Sequence, residues 1–279
     1  MLALAAALAI GATINADGCP DVLDYSTWAE TADQKWDYRS SKLVVLGAVH
    51  SRDPSHEQFA RIATAFATAR PTLAFFEGPD RGTRDSAETA IRETGESGYV
   101  RYLAASANVP SRSLEPSPPQ QIKMLLGQYP VDQVMLFFIV REAVRLRDRE
   151  GLSGPRLEAA VGKMFEKIAP MEAALGVPLP FKDTPGLQAA FAAYWPGRDW
   201  KRADSAWFSP TADDRKTGGV FTAAINRADS TNRNRHLANI LGEAVRKGER
   251  PFVVIGRNHV PMITPAIDCA LKRLQESGN

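Results

Sequence analysis

The chain has 279 residues, 44% of them hydrophobic and 24% charged, with 34 Lys and Arg against 32 Asp and Glu. That composition can bury a full core and excludes a low-complexity or disordered chain. A formal net charge of +2 without a Lys/Arg-rich run argues against nucleic acid as a partner, and no apolar run approaches the roughly 18 residues that cross a bilayer.

Residues 1–16 read as a signal peptide: Leu2 to Ile10 is unbroken apolar sequence, followed by Gly11, Ala12 and the polar stretch Thr13 to Asp17. A basic leading segment is missing, so a buried N-terminal helix is the competing reading. Export predicts a mature chain beginning between Thr13 and Cys19 that works in the periplasm or outside the cell. The two cysteines, Cys19 and Cys269, then form one disulfide with Cα atoms within about 7 Å; lipidation of Cys19 is the other possibility.

The pattern predicts a single α/β domain over residues 17–279. Leu43 to Leu46 is an apolar strand ending in Gly47-Ala48-Val49-His50, and Ser55 to Arg70 is a helix with Phe59, Ile62, Ala63 and Phe66 on one face. A second cycle follows, with strand Leu73 to Phe76 ending in Glu77-Gly78-Pro79 and a helix over Ser86 to Ala107. A short strand, Ser111 to Leu114, ends in Glu115-Pro116. Pro118 to Glu150 and Ala159 to Leu175 read as helical. Residues 176–219 break the rhythm as an insertion holding Trp195, Trp200 and Trp207, either a satellite core or a lid over substrate. The alternation resumes with helix Thr231 to Lys247, strand Phe252 to Ile255 ending in Gly256-Arg257-Asn258-His259, and a helix near Pro265 to Gln275. Strands apolar throughout and alternating with helices predict a parallel or mixed central sheet covered by helices.

Open parallel sheets bind ligands beyond the carboxyl ends of their strands. Here those ends hold His50, Glu77, Glu115 and His259. Imidazole and carboxylate suit a divalent cation, so His50, Glu77 and His259 are the candidate metal ligands and Glu115 a candidate catalytic carboxylate. The Gly three residues before each His is expected to let a ligand approach the backbone. Arg233 and Asn234 are either a solvated helix face or catalytic partners, Arg233 for oxyanion charge and Asn234 for orientation by hydrogen bonding. His56 and His236 read as supporting or structural. Walker, dinucleotide-binding and Gly-x-Ser-x-Gly motifs are absent, which removes kinase, Rossmann dehydrogenase and serine α/β-hydrolase readings.

These residues resemble the superfamily that joins the Tiki and TraB/GumN proteins, the haem-binding ChaN lipoproteins and the erythromycin esterases. The resemblance rests on Gly47-Ala48-Val49-His50, on Glu77 after an apolar strand, on Arg233-Asn234 with Leu237-Ala238, and on Gly256-Arg257-Asn258-His259. It spans roughly Leu43 to Glu115 and Thr231 to Asp268. The first motif departs from the Gly-Thr-Ile-His form common in Tiki and TraB proteins. The resemblance implies an α/β fold with its site at the strand ends and, for Tiki members, a divalent-metal-dependent peptidase.

Two functions are therefore expected in competition. In the first, a hydrolase of peptides or small-molecule esters holds Mn, Co or Zn on His50, Glu77 and His259, and the cation activates water. In the second, a ChaN-like protein binds haem or iron without catalysis, with Tyr194 as a possible axial ligand. A metal-free His/Glu mechanism, as the erythromycin-esterase resemblance suggests, is a third form of the chemistry.

Overall fold

A computed structural model describes residues 18–276; the expected signal peptide lies outside them. In chain order the elements are β1 (Asp37–Arg39), β2 (Val44–Ala48), α1 (Gln58–Ala69), β3 (Leu73–Phe76), α2 (Ala87–Ser106), β4 (Ser111–Ser113), α3 (Pro118–Leu126), α4 (Val131–Glu150), α5 (Gly154–Ile168), α6 (Met171–Leu175), α7 (Thr184–Tyr194), α8 (Asp214–Thr217), α9 (Thr222–Arg246), β5 (Pro251–Gly256) and α10 (His259–Glu276). They fall into two compact units, one built from residues 18–23, 30–115 and 234–276, the other from 24–29 and 116–233. The expected insertion at 176–219 is thus part of a larger helical unit.

The first unit is α/β, as expected. Its sheet has the order β1-β2-β5-β3-β4. The four predicted strands are parallel neighbours, and only β1, which the sequence pattern did not suggest, runs antiparallel on the β2 edge. Alternate strand residues serve opposite faces, as a pleated strand requires. Val44, Leu46, Ala74, Phe76, Phe252 and Val254 pack with Phe59, Ile62 and Phe66 of α1 and Ile91 and Val100 of α2. Val45, Phe75, Val253 and Ile255 face the other way, onto Leu237 and Leu241 of α9 and Ile263, Ile267 and Leu271 of α10. A disulfide joins Cys19 to Cys269 on α10, with a Cα separation of 5.6 Å, so the Cys19 sulfur is engaged there rather than by a lipid.

The second unit is all helix. The predicted helix over Pro118 to Glu150 is two, α3 and α4, because Pro130 disfavours helical backbone at the residue before it. The helix predicted from Thr231 begins at Thr222. Trp195, Trp200 and Trp207 are all buried in this unit's core with Phe137, Phe191 and Phe221. Trp195 stacks on Trp207 at 5.1 Å and on Phe191 at 4.6 Å, and its indole N–H donates to the Gly218 carbonyl at 2.7 Å. The tryptophans therefore form a core. Of the two readings open for them, lid and satellite core, the burial matches the second.

Candidate functional site

The C-terminal ends of β2, β5 and β3 lie side by side. Ala48 is in register with Gly256, and Phe76 with Val254. With strands spaced about 4.8 Å apart, the segments carrying His50 and Glu77 leave the sheet on either side of the segment carrying His259, roughly 10 Å from one another. Each side chain is then fixed by a separate local device.

His50 is held by a carboxylate that the sequence reading passed over. Its Nδ1 lies 2.6 Å from Oε1 of Glu96, so Nδ1–H is the donor to the carboxylate oxygen, and the tautomer that this bond favours has its basic nitrogen at Nε2. The His50 side chain is 64% exposed and that of Glu96 only 7%. Glu96 reaches this position because α2 is kinked at Gly95, whose φ of 63° and ψ of −145° belong to a region essentially restricted to glycine. A Cβ there would stand 2.9 Å from the Ser51 carbonyl oxygen, so the kink also brings the 49–52 loop against the helix. The buried side chain of Gln58 closes the other side: its Oε1 accepts from the Val49 amide at 3.1 Å and its Nε2 donates to the Val49 carbonyl at 2.9 Å.

Glu77 and His259 meet around Gly256. The Gly256 amide donates to Glu77 Oε2 at 2.8 Å, and a Cβ built on Gly256 would lie 3.5 Å from that oxygen and 3.6 Å from Cδ2 of His259. Ser97, next to Glu96, donates its hydroxyl to the Glu77 carbonyl at 2.6 Å. His259 is nearly buried and lies 2.6 Å through Nδ1 from Oδ1 of the fully buried Asn234, which places its proton on Nδ1 as well. The orienting role expected of Asn234 thus has a geometric counterpart.

Glu115 accepts from the Gly78 amide at 3.3 Å, and its charge acts on His236. Burial holds the His236 imidazole below its ordinary value, and Glu115 opposes that shift. Arg233, half-buried, is the last residue of the second unit. A helix turns about 100° per residue, so it does not share a face with Asn234. His56 accepts from the Gln58 amide through Nδ1 at 3.2 Å and packs edge-on against Phe59, a supporting position. Tyr194 belongs to the second unit, where its hydroxyl donates to Asp132 at 2.6 Å.

The two Gly residues preceding the histidines have different roles. At Gly47 a Cβ would stand 2.4 Å from the Trp36 carbonyl oxygen, so the close approach there is by backbone rather than by a ligand. Gly256 lies directly beneath Glu77 and His259.

A second buried charge escaped the sequence reading. Arg101 sits over the Phe76 ring at 4.8 Å and donates to the Pro79 carbonyl at 3.2 Å and to Thr94 Oγ1 at 3.2 Å. It connects the loop after Glu77 to the α2 kink. Burial pulls its guanidinium below the usual arginine value, with the Asp80 carboxylate opposing.

The donor types at the strand ends suit a divalent cation, yet among the described residues no three His, Cys, Asp or Glu side chains converge as a cation shell. The ring nitrogens that face Glu96 and Asn234 are engaged as donors, as they would be either in metal ligands or in general bases. No protein-family model, curated protein or solved structure matches the chain.

Proposed function

We propose that the protein is a hydrolase of the peptidase or esterase type, acting at the ends of β2, β5 and β3 with His50 as general base. The observation that carries this reading is the pairing of an exposed imidazole with a buried carboxylate at 2.6 Å. A carboxylate on Nδ1 fixes the tautomer and stabilises the imidazolium formed when Nε2 takes a proton. Nε2 removes a proton from water, the water oxygen bonds to the substrate carbonyl carbon, and the same proton is returned to the leaving oxygen or nitrogen as its bond to carbon breaks. Glu77, past the end of β3, and His259, past the end of β5, supply further acid–base groups, with Asn234 as the positioning residue for His259. Glu115 is the further candidate for proton transfer. For Arg233, a residue of the second unit, the oxyanion role rests on guanidinium chemistry alone, and the sequence resemblance gives it only a supporting position.

A cation form of the same proposal has Mn, Co or Zn on His50, Glu77 and His259. Because these side chains do not converge as a shell, no step above is routed through a metal. The haem reading gains no support from Tyr194, whose hydroxyl is committed to Asp132. The Cys19–Cys269 disulfide supports work in an oxidising compartment, the periplasm or outside the cell.

The test is hydrolysis of 4-nitrophenyl esters and of a fluorogenic peptide library by wild type and His50→Ala, before and after EDTA. Loss of a general base is expected to lower kcat by about 100-fold or more. Turnover that survives EDTA selects the metal-free form, whereas restoration by added Mn, Co or Zn selects the cation form. Wild-type rates in His50→Ala, with the fold intact by circular dichroism, would overturn the assignment.

A further inference from the structure

Beside β2, within the first unit, lies a cavity of about 700 Å³ that the chemistry above does not use. That volume falls within the range that takes a small ligand. Its floor is the backbone from Gly47 to Val49, the segment that ends in His50. One wall is Trp36 with the Arg257 guanidinium stacked over its ring at 4.7 Å, and the other is the first turn of α1 with Gln58 and Arg61.

The three cations on the lining are not equivalent. Arg61 is consumed internally, donating to Asp37 Oδ1 at 2.6 Å and to the Gly47 carbonyl at 2.6 Å, so it braces the wall. Arg257 has one carboxylate within reach, Glu30, at the long distance of 4.0 Å, and the exposed Lys35 ammonium makes no ion pair among the described residues. Glu57, exposed at the N-cap of α1, is the lining's other carboxylate besides Asp37, and its side chain makes no cap bond there. The N-terminal end of the α1 dipole adds positive potential. Next to this charge stands Val49, an exposed aliphatic side chain at 41%. A planar guanidinium matches a carboxylate, and Val49 and the Trp36 ring match a short hydrocarbon chain.

We propose that this cavity is the acyl subsite and that it takes a short aliphatic chain ending in a carboxylate, recognised by Arg257 and Lys35. Its placement as a subsite rests on the hydrolase reading, because Val49 immediately precedes His50. Binding itself does not depend on turnover. The selected substrates are then esters or amides of dicarboxylic acids, or peptides with an acidic group at that distance from the scissile bond.

Two measurements keep the subsite and the hydrolase separable. Glutarate and its uncharged diamide, glutaramide, are titrated calorimetrically into wild type, His50→Ala, Arg257→Gln and Lys35→Gln. The mono-4-nitrophenyl ester of glutarate is then compared with 4-nitrophenyl butyrate as a substrate. Glutarate is expected to bind wild type and His50→Ala equally, and each cation variant to bind it about two- to fivefold more weakly, the scale of a solvent-exposed ion pair. The glutarate ester is expected to be the better substrate for wild type and to lose that advantage in Arg257→Gln. Glutarate that binds no better than glutaramide, or that binds both cation variants as well as wild type, overturns the subsite even if esters are hydrolysed. Glutarate binding that needs Arg257 and Lys35, with no ester turned over, leaves the subsite standing and refutes the hydrolase.

Discussion

Glu96→Gln isolates the charge at the proposed base from its geometry. The amide is isosteric and can present Oε1 to the Nδ1–H of His50, so the ring keeps its tautomer and its place. What disappears is the negative charge 2.6 Å from Nδ1, on a side chain that is 7% exposed. A hydrogen bond involving a charged group contributes about 1.5–3 kcal/mol, against about 1 kcal/mol for a neutral one. Because His50 becomes cationic only as it takes the proton from water, the difference of about 1–2 kcal/mol falls on the transition state. It lowers kcat by about 5- to 30-fold and leaves KM nearly unchanged. Stability is expected to hold or rise, since the variant no longer buries an ionised carboxylate. Steady-state kinetics on the ester substrate, with urea unfolding in parallel, gives both readings. A kcat within twofold of wild type at unchanged stability would refute the argument that Glu96 acts through the charge on His50.

Gly95→Ala places a Cβ 2.9 Å from the Ser51 carbonyl in a backbone region that costs about 1–3 kcal/mol for other residues. It is expected to lower the urea midpoint and kcat together, and a variant with both unchanged would remove the kink from the account. His236 is kept from protonating by burial, so below about pH 6.5 the unfolded chain takes up a proton that the folded chain resists, and stability falls as the pH drops through that range. His236→Gln should flatten the urea midpoint between pH 7 and 5.5, and an equal slope in both proteins contradicts the assignment. The disulfide closes a span of 250 residues, for which the chain-entropy relation gives a contribution of about 5.5 kcal/mol; replacing both cysteines by Ser should lower the melting temperature markedly, which thermal unfolding checks. Trp195→Ala, in the second unit's aromatic core, should cost about 3–5 kcal/mol, and a loss under 1 kcal/mol by urea unfolding would contradict its burial there.

The sheet was legible because three of its strands, β2, β3 and β5, are apolar on both faces, a pattern that few other settings tolerate. Strand β1 was not, since Asp37, Tyr38 and Arg39 form a half-buried edge whose pairing is set by the backbone of β2. At the site, the residues just past the strands could be read because topology alone assigns them a place. Glu96 and Arg101 could not be read that way, because they arrive from the middle of a helix. The available signal was Gly95-Glu96-Ser97-Gly98, two glycines bracketing a charge inside an otherwise regular helical stretch. A pattern of this kind marks a kink that redirects one side chain. The tryptophans were legible only in part: a Pro- and Gly-rich segment leaves a lid and a satellite core both open, and here its turns fold three indoles into the centre of a helical unit.

The strand order has a consequence for synthesis. β5 lies between β2 and β3, yet more than 170 residues of chain are made after β3 before β5 exists. On the ribosome, β2 and β3 therefore emerge with their facing edges open, while residues 116–233 arrive as nearly one continuous stretch with a core of their own. The helical unit is expected to close first. The sheet must wait for its central strand, and for that interval two apolar strands are open to pairing with each other or with a neighbouring nascent chain.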